Sequence, residues 1–113
     1  MSDIIEYKHF LDVDIRVGTI IQADVNLLLK KPSIIMRIDF GKELGVKKCS
    51  AQLTENYKPD KIINLQVAAV VNFKPKQIGN IISEVLVLGF PDDQGEPILF
   101  SPDKSIKNGA RLF

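Results

Sequence analysis

A long alternation of apolar and polar residues near the N-terminus most constrains what this chain can fold into. From residue 13 to residue 25, every second position carries an apolar or small side chain: Val13, Ile15, Val17, Thr19, Ile21, Ala23 and Val25. Successive side chains of a strand point to opposite faces, so a period of two predicts a long strand with one buried face. Gly18 lies in its middle, where we expect the strand to bend, as a small barrel requires.

Four further segments bring the main strands to five. The alternations at 34–40 and 46–53 predict half-buried strands, whereas 66–73 and 84–89 are apolar on both faces and predict central strands. Short helices are expected over 4–11, where Asp3 and Glu6 have the spacing of a capping box, and within 54–65. A turn at 92–95 leads to a short strand at 98–100. Five strands with one bent favour an all-β fold and a closed barrel over a sandwich.

Length and composition restrict the class of protein. A chain of 113 residues predicts one domain spanning 1–113. It has no apolar run of the roughly 20 residues that a bilayer span requires, and its first residues lack the pattern of a signal peptide. We therefore expect a cytoplasmic location. The net charge is only +1, so an anionic partner must be bound by a local cluster of lysines.

Catalytic chemistry finds little support in the sequence. His9 and Cys49 are the only residues of their types, and neither has the partners of a nucleophilic triad. One Cys and one His do not make a structural zinc site, and the glycines form no phosphate-binding loop. We expect His9 to be a surface or interface residue and Cys49 a buried, inert one. The sequence predicts no enzyme activity and no metal site.

Seven different short motifs are spread along nearly the whole chain. They are DIRVGTI at 14–20, IDFG at 38–41, SAQLT at 50–54, VVNF at 70–73, QIG at 77–79, SEVLVLG at 83–89 and PD at 102–103. In these motifs the chain resembles the tRNA-binding OB-fold domain family, which includes the C-terminal domain of methionyl-tRNA synthetases. It resembles the free-standing CsaA-type secretion chaperones of that family more closely. Lys74 and Lys76 depart from the Asn-Phe-Pro-Pro-Arg pattern that the family has at 72–76.

The resemblance implies a five-stranded Greek-key OB-fold barrel with short helices and terminal extensions, a homodimer and no cofactor. It also implies a non-enzymatic, export-related chaperone that binds unfolded or secretory polypeptides. The alternative is a free-standing protein that binds tRNA by its shape.

Two groups of residues are candidates for contacts with partners. The predicted ligand-binding face, for tRNA or peptide, combines cationic loops with polar residues inside the family motifs: Lys30, Lys31, Ser50, Gln52, Asn72, Lys74, Lys76 and Ser83. The predicted dimer interface comprises Phe10, Leu112 and Phe113, apolar residues near the two ends of the chain. Leu27, Leu28 and Leu29 form an apolar loop that suits either a peptide contact or the dimer interface.

Overall fold

The computed structural model describes residues 2–113 and consists mainly of strands. In chain order its elements are α1 (Tyr7–Leu11), β1 (Ile15–Asn26), β2 (Ser33–Asp39), α2 (Gly41–Leu44), β3 (Val46–Ala51), α3 (Pro59–Ile62), β4 (Gln66–Val70), β5 (Lys76–Ile78), β6 (Ile81–Ser83), β7 (Leu86–Val87), β8 (Gly89–Pro91) and β9 (Pro97–Leu99). Five strands form a curled antiparallel sheet in the order β3-β2-β1-β4-β7. Because β4 returns to lie beside β1, the topology is that of a Greek key. The prediction of an all-β OB-fold is confirmed.

Strand β1 joins the two halves of this sheet. Its first part pairs with β4 from Ile15 to Thr19, and its second part pairs with β2 from Thr19 to Asn26, with a register shift between Ile20 and Gln22. The irregularity therefore lies beyond Gly18, where we expected the bend. A Cβ atom on Gly18 would lie 2.6 Å from Ile38 Cγ2, so glycine is needed there for close packing.

The core lies inside the curl of the sheet and follows the predicted alternation in β2 and β3. Met36, Ile38 and Cys49 face inward, while Arg37 and Lys48 face outward. In the second half of β1 the predicted alternation is wrong: Ile20 is fully buried, whereas Ile21 and Val25 are 47% and 41% exposed, because the register shifts between Ile20 and Gln22. Strand β4 is buried on both faces from Val67 to Val70, as its continuous apolar run predicted. The fully buried side chains include Ile20, Ile34, Met36, Ile38, Phe40, Ile62, Val67 and Cys49.

The barrel closes between β3 and residues 83–84 through a contact that we call the seam. The Glu84 N–H donates to the Lys48 carbonyl oxygen (2.8 Å), and the Lys48 N–H donates to Glu84 Oε1 (2.9 Å). The Ser50 N–H donates to Ser83 Oγ (3.2 Å). Two of these three bonds use a side-chain oxygen where a regular ladder would use a carbonyl. Ser83 and Glu84 thus satisfy backbone donors of an edge strand.

One predicted strand differs from the observed ones, and one observed hairpin was not predicted. The single strand expected over 84–89 is split: Leu86–Val87 pairs with β4, and Gly89–Pro91 pairs with β9. The β5–β6 hairpin was not predicted, because three-residue strands are too short to show a period.

The N-terminal helix is shorter than predicted and begins at Tyr7. Its capping pair is Glu6 and His9 instead of Asp3 and Glu6, and the Glu6 N–H donates to His9 Nδ1 at 3.0 Å. His9 is exposed, as expected, and helps to start the helix. No helix within residues 2–113 has the length and apolar character needed to cross a bilayer.

Candidate ligand-binding surface

A concavity lies where the β5–β6 hairpin meets the seam, and we call it the hairpin concavity. It has a volume of about 360 Å³ and is lined by Ser50, Phe73, Lys74, Lys76, Ile78, Ser83, Glu84, Val85 and Leu86. Four of the eight predicted ligand-binding residues, Ser50, Lys74, Lys76 and Ser83, are therefore brought together. The structure adds an apolar lining that the sequence did not indicate. Its Phe73 and Leu86 side chains are 53% and 49% exposed.

The two serines of the concavity are held by hydrogen bonds to the protein. Ser83 is buried; its hydroxyl accepts the Ser50 N–H and donates to the Val85 carbonyl oxygen (3.1 Å). The Ser50 hydroxyl lies 2.9 Å from the hydroxyl of buried Ser33. Both hydroxyl groups are therefore engaged in hydrogen bonds within the protein. The groups left for a ligand are the two ammonium groups, the carboxylate of Glu84 and the apolar lining. Neither Lys74 nor Lys76 forms a salt bridge with a residue of the described chain.

The loop between β1 and β2, which carries Lys30 and Lys31, touches the turn of the β5–β6 hairpin. Asn26 Nδ2 donates to Asn80 Oδ1 at 2.9 Å, and the Leu29 side chain packs over Gly79. In OB-folds, this loop and the one before the last barrel strand commonly bind ligands together. Here they are in direct contact.

Within this loop the three leucines and two lysines differ in their surroundings. Leu27 and Leu28 are 75% and 80% exposed. Leu29 is partly buried, so only two of the three leucines in this loop are exposed. Lys31 Nζ lies 3.1 Å from Glu96 Oε1, whereas exposed Lys30 forms no salt bridge within the described residues. Leu27, Leu28 and Lys30 are thus the side chains most available to a ligand.

Asn72 and Gln52 lie outside the hairpin concavity. The Asn72 side-chain amide holds the segment that precedes β1: its Nδ2 donates to the Asp12 carbonyl oxygen (2.8 Å), and its Oδ1 accepts the Asp14 N–H (2.9 Å). Gln52 is exposed just after β3, at the end of the β2–β3 hairpin where β2 begins. The Asn72 amide is therefore bonded to backbone groups, and of these two side chains only Gln52 is available to a ligand.

Two cations that the predicted set omitted stand on the outer face of the β2–β3 hairpin. Arg37 and Lys48 are directly opposed in the register, and Ser50 follows two residues along β3 on the same face. Neither cation forms a salt bridge with a described residue. The alternation in the sequence places both cations on the polar face of their strands, so their exposure could have been predicted. Their position near the concavity could not, because it depends on where the β5–β6 hairpin packs.

The two ends of the chain meet on another side of the barrel. Arg111 Nη2 donates to the Leu11 carbonyl oxygen (2.7 Å), and Arg111 Nε lies 3.4 Å from Asp14 Oδ1. Beside them is an apolar groove of about 380 Å³, lined by Ile15, Arg16, Val17, Ala68, Phe100, Pro102, Ile106, Ala110, Arg111, Leu112 and Phe113. Phe113 is fully exposed, and Phe10, partly buried, packs against Tyr7 with ring centroids 6.0 Å apart.

Electrostatics near the seam explain the state of the single cysteine. Burial raises the pKa of the Cys49 thiol to about 12, and the negative charge of Glu84 adds to this effect. A thiol in this state is neutral and unreactive at physiological pH. Within residues 2–113 no group of three or more His, Cys, Asp or Glu side chains is arranged to hold a metal ion.

This geometry is that of an OB-fold in which the β1–β2 loop contacts the β5–β6 hairpin, and the family comparison agrees with the fold. The model of the family described as "Putative tRNA binding domain" matches residues 15–111. The crystal structure of chaperone CsaA from Bacillus anthracis has a TM-score of 0.92 at 40% identity, covering 98% of this chain and all of that one. The chain belongs to the tRNA-binding domain family, as a CsaA-type member.

Further relatives place the fold in a wider setting. The CsaA chaperone protein from Picrophilus torridus is 44% identical, with a TM-score of 0.89 over 97% of this chain and all of that one. A MetRS-related protein from Pyrococcus horikoshii, 21% identical with a TM-score of 0.87, shares the fold. The methionine–tRNA ligase of Pyrococcus horikoshii is 32% identical over 108 residues, and that of Parabacteroides distasonis 27% over 110. This chain spans only 14% and 16% of the length of those two ligases.

Proposed function

We propose that this protein is a non-enzymatic, export-related chaperone that binds unfolded or secretory polypeptides at the hairpin concavity and the adjoining β1–β2 loop. The observation that carries the proposal is the exposed apolar surface there: Phe73 and Leu86 in the concavity, and Leu27 and Leu28 in the loop. Apolar patches framed by polar groups mark interaction sites. The similarity to two proteins described as CsaA chaperones supports the same role.

The strength of such binding follows from the size of the site. Full burial of one large apolar side chain contributes about 1.5–3 kcal/mol. The hairpin concavity of about 360 Å³ is small for a ligand pocket. It suits one or two side chains of an extended segment, with the leucines of the loop adding a further contact. After the cost of ordering the peptide, we expect weak and reversible binding, as a holding chaperone requires.

The second candidate function is tRNA binding, which the family model and the relatives among methionine–tRNA ligases support. Lys30 and the pair Lys74 and Lys76 lie on the two loops that OB-folds use to hold oligonucleotides. Phe73 lines the concavity beside these lysines and offers a surface for stacking a base. The same face would then be used for a different ligand.

We further propose that the protein works as a cytoplasmic homodimer. The apolar groove at the chain ends would be exposed to solvent in a monomer. Its lining includes Leu112 and Phe113, and Phe10 lies on the adjoining helix. Symmetrical association of two such surfaces would bury it.

The two candidate ligands can be separated with paired variants and a salt series. Fluorescence anisotropy would be measured with a labelled unfolded polypeptide and with labelled tRNA. For a chaperone, Leu27→Ser with Leu28→Ser weakens polypeptide binding, and Lys74→Ala with Lys76→Ala changes it little at moderate salt because apolar burial is not screened. For a tRNA-binding protein, the lysine pair weakens tRNA binding and lowers the salt slope by nearly two units, since each phosphate that a lysine neutralises contributes about 0.7–0.9 to that slope.

Matched controls lie away from this face. Lys58→Ala with Lys61→Ala removes two exposed lysines at α3, and Ile4→Ser with Ile5→Ser removes two exposed apolar residues before α1. Neither control should reproduce the loss caused by its counterpart. If neither test pair affects either ligand, the proposed face is wrong.

A further inference from the structure

The outer face of the β2–β3 hairpin forms a short cationic track that ends at the hairpin concavity. Ser50, which lines the concavity, and Lys48 are two residues apart on the outward side of β3, and Arg37 is paired across from Lys48. Side chains on one face of a strand repeat about every 6.8 Å. An extended polypeptide has the same repeat, so its alternate side chains can match this spacing.

The two ends of the track have different chemistry. The concavity end is apolar at Phe73, Ile78, Val85 and Leu86, which suits one large apolar side chain. The other end presents the charges of Arg37 and Lys48, for which the described residues supply no salt-bridge partner. Glu84, whose Oε1 accepts the Lys48 N–H, keeps its negative charge in the lining of the concavity, where Lys74 and Lys76 supply two positive charges.

We propose that the polypeptides bound here are recognised by an extended pattern in which a large apolar residue and an acidic residue are separated by one position. The apolar side chain enters the hairpin concavity, and the carboxylate two positions away reaches Arg37 and Lys48. Lys74 and Lys76 at the rim favour acidic residues on the other side of the anchor. This inference rests on the proposed polypeptide-binding function and adds the class of segment that is selected.

The test uses short labelled peptides in a common Ser/Thr-rich background. The reference contains Glu-x-Phe-x-Glu, which presents all three side chains on one face whichever way the peptide lies. In three comparison peptides, lysines replace the glutamates, alanine replaces the phenylalanine, or the glutamates stand directly beside the phenylalanine. The last has the same composition but places its charges on the opposite face.

At low salt we expect the reference to bind about threefold to fivefold tighter than the lysine and adjacent-glutamate peptides, as exposed ion pairs allow. It should bind about tenfold tighter than the alanine peptide, which lacks the side chain that is buried in the concavity. Arg37→Glu, which would pair with Lys48 and neutralise the track, should reduce the preference for glutamate to the part that Lys74 and Lys76 contribute. Lys104→Glu makes a matching reversal of charge at an exposed site on the C-terminal segment and should leave the preference intact.

Equal affinity for the reference, lysine and adjacent-glutamate peptides would overturn the pattern while leaving polypeptide binding in place. An undiminished preference in Arg37→Glu would equally overturn the assigned track. If no peptide binds and a single-stranded oligoribonucleotide does, the proposed function fails together with this inference.

Discussion

The seam offers the sharpest test of how this barrel is closed, because one carboxylate there accepts a backbone donor. In Glu84→Ala the Lys48 N–H, now bonded to Glu84 Oε1 at 2.9 Å, loses its acceptor. An unsatisfied, partly buried donor costs about 1–3 kcal/mol. For a domain of this size, each kcal/mol lowers Tm by about 4 °C, so the expected drop is about 4–12 °C.

The assay is thermal and urea unfolding followed by circular dichroism, with two companion variants. Glu84→Gln keeps an oxygen acceptor without the charge and should cost less than half as much as Glu84→Ala. Glu55→Ala removes an exposed carboxylate from a turn and should change stability by less than about 0.5 kcal/mol. If Glu84→Ala is as stable as the parent, or Glu84→Gln costs as much as Glu84→Ala, the acceptor does not close the seam.

Three further predictions concern the thiol and the chain ends. Cys49 should resist Ellman's reagent at neutral pH until the protein unfolds, and fast labelling of the folded protein would contradict its burial. Its ordinary pKa of 9.0 is raised to about 12 in the fold, so its contribution to stability is present below pH 9.0 and is lost as the pH rises toward 12. A Cys49→Ala variant should lose this dependence. Sedimentation should give about twice 12.6 kDa, and Leu112→Ser with Phe113→Ser should shift the protein toward monomer; a parent that is monomeric at high micromolar concentration would disprove the dimer.

The candidate site shows how much of its geometry the residues alone could indicate. Lys74 and Lys76 are cations beside a family motif, and they line a concavity with Ser50 and Ser83. Asn72 lies in the same family motif, yet its amide holds the backbone of residues 12 and 14. A polar residue in a strand motif has the same sequence pattern whether it serves a ligand or the fold. Only its hydrogen-bond partners distinguish the two.

The strands themselves were determined by local pattern. The period of two in β2 and β3 identifies which side chains face the core, because a strand turns each successive residue to the opposite face. In β1 it fails beyond Thr19, because the register shift after Ile20 exchanges the two faces and leaves Ile21 and Val25 exposed. The continuous apolar run of β4 likewise indicated burial on both faces. These features depend on residues close together in the sequence. A shift of one residue in the pairing of a strand would move its apolar side chains from the core to the solvent face.

The tertiary structure alone decided how the strands close and what surrounds the ligand face. The seam joins residues 48 and 84, and the loop contact joins residues 26 and 80. Contacts between residues so distant in sequence leave no periodic signal, and the three-residue strands of the hairpin are too short to have one. The apolar lining of the concavity follows from these long-range contacts, since they bring Phe73, Ile78 and Leu86 beside the serines and lysines that the sequence had indicated.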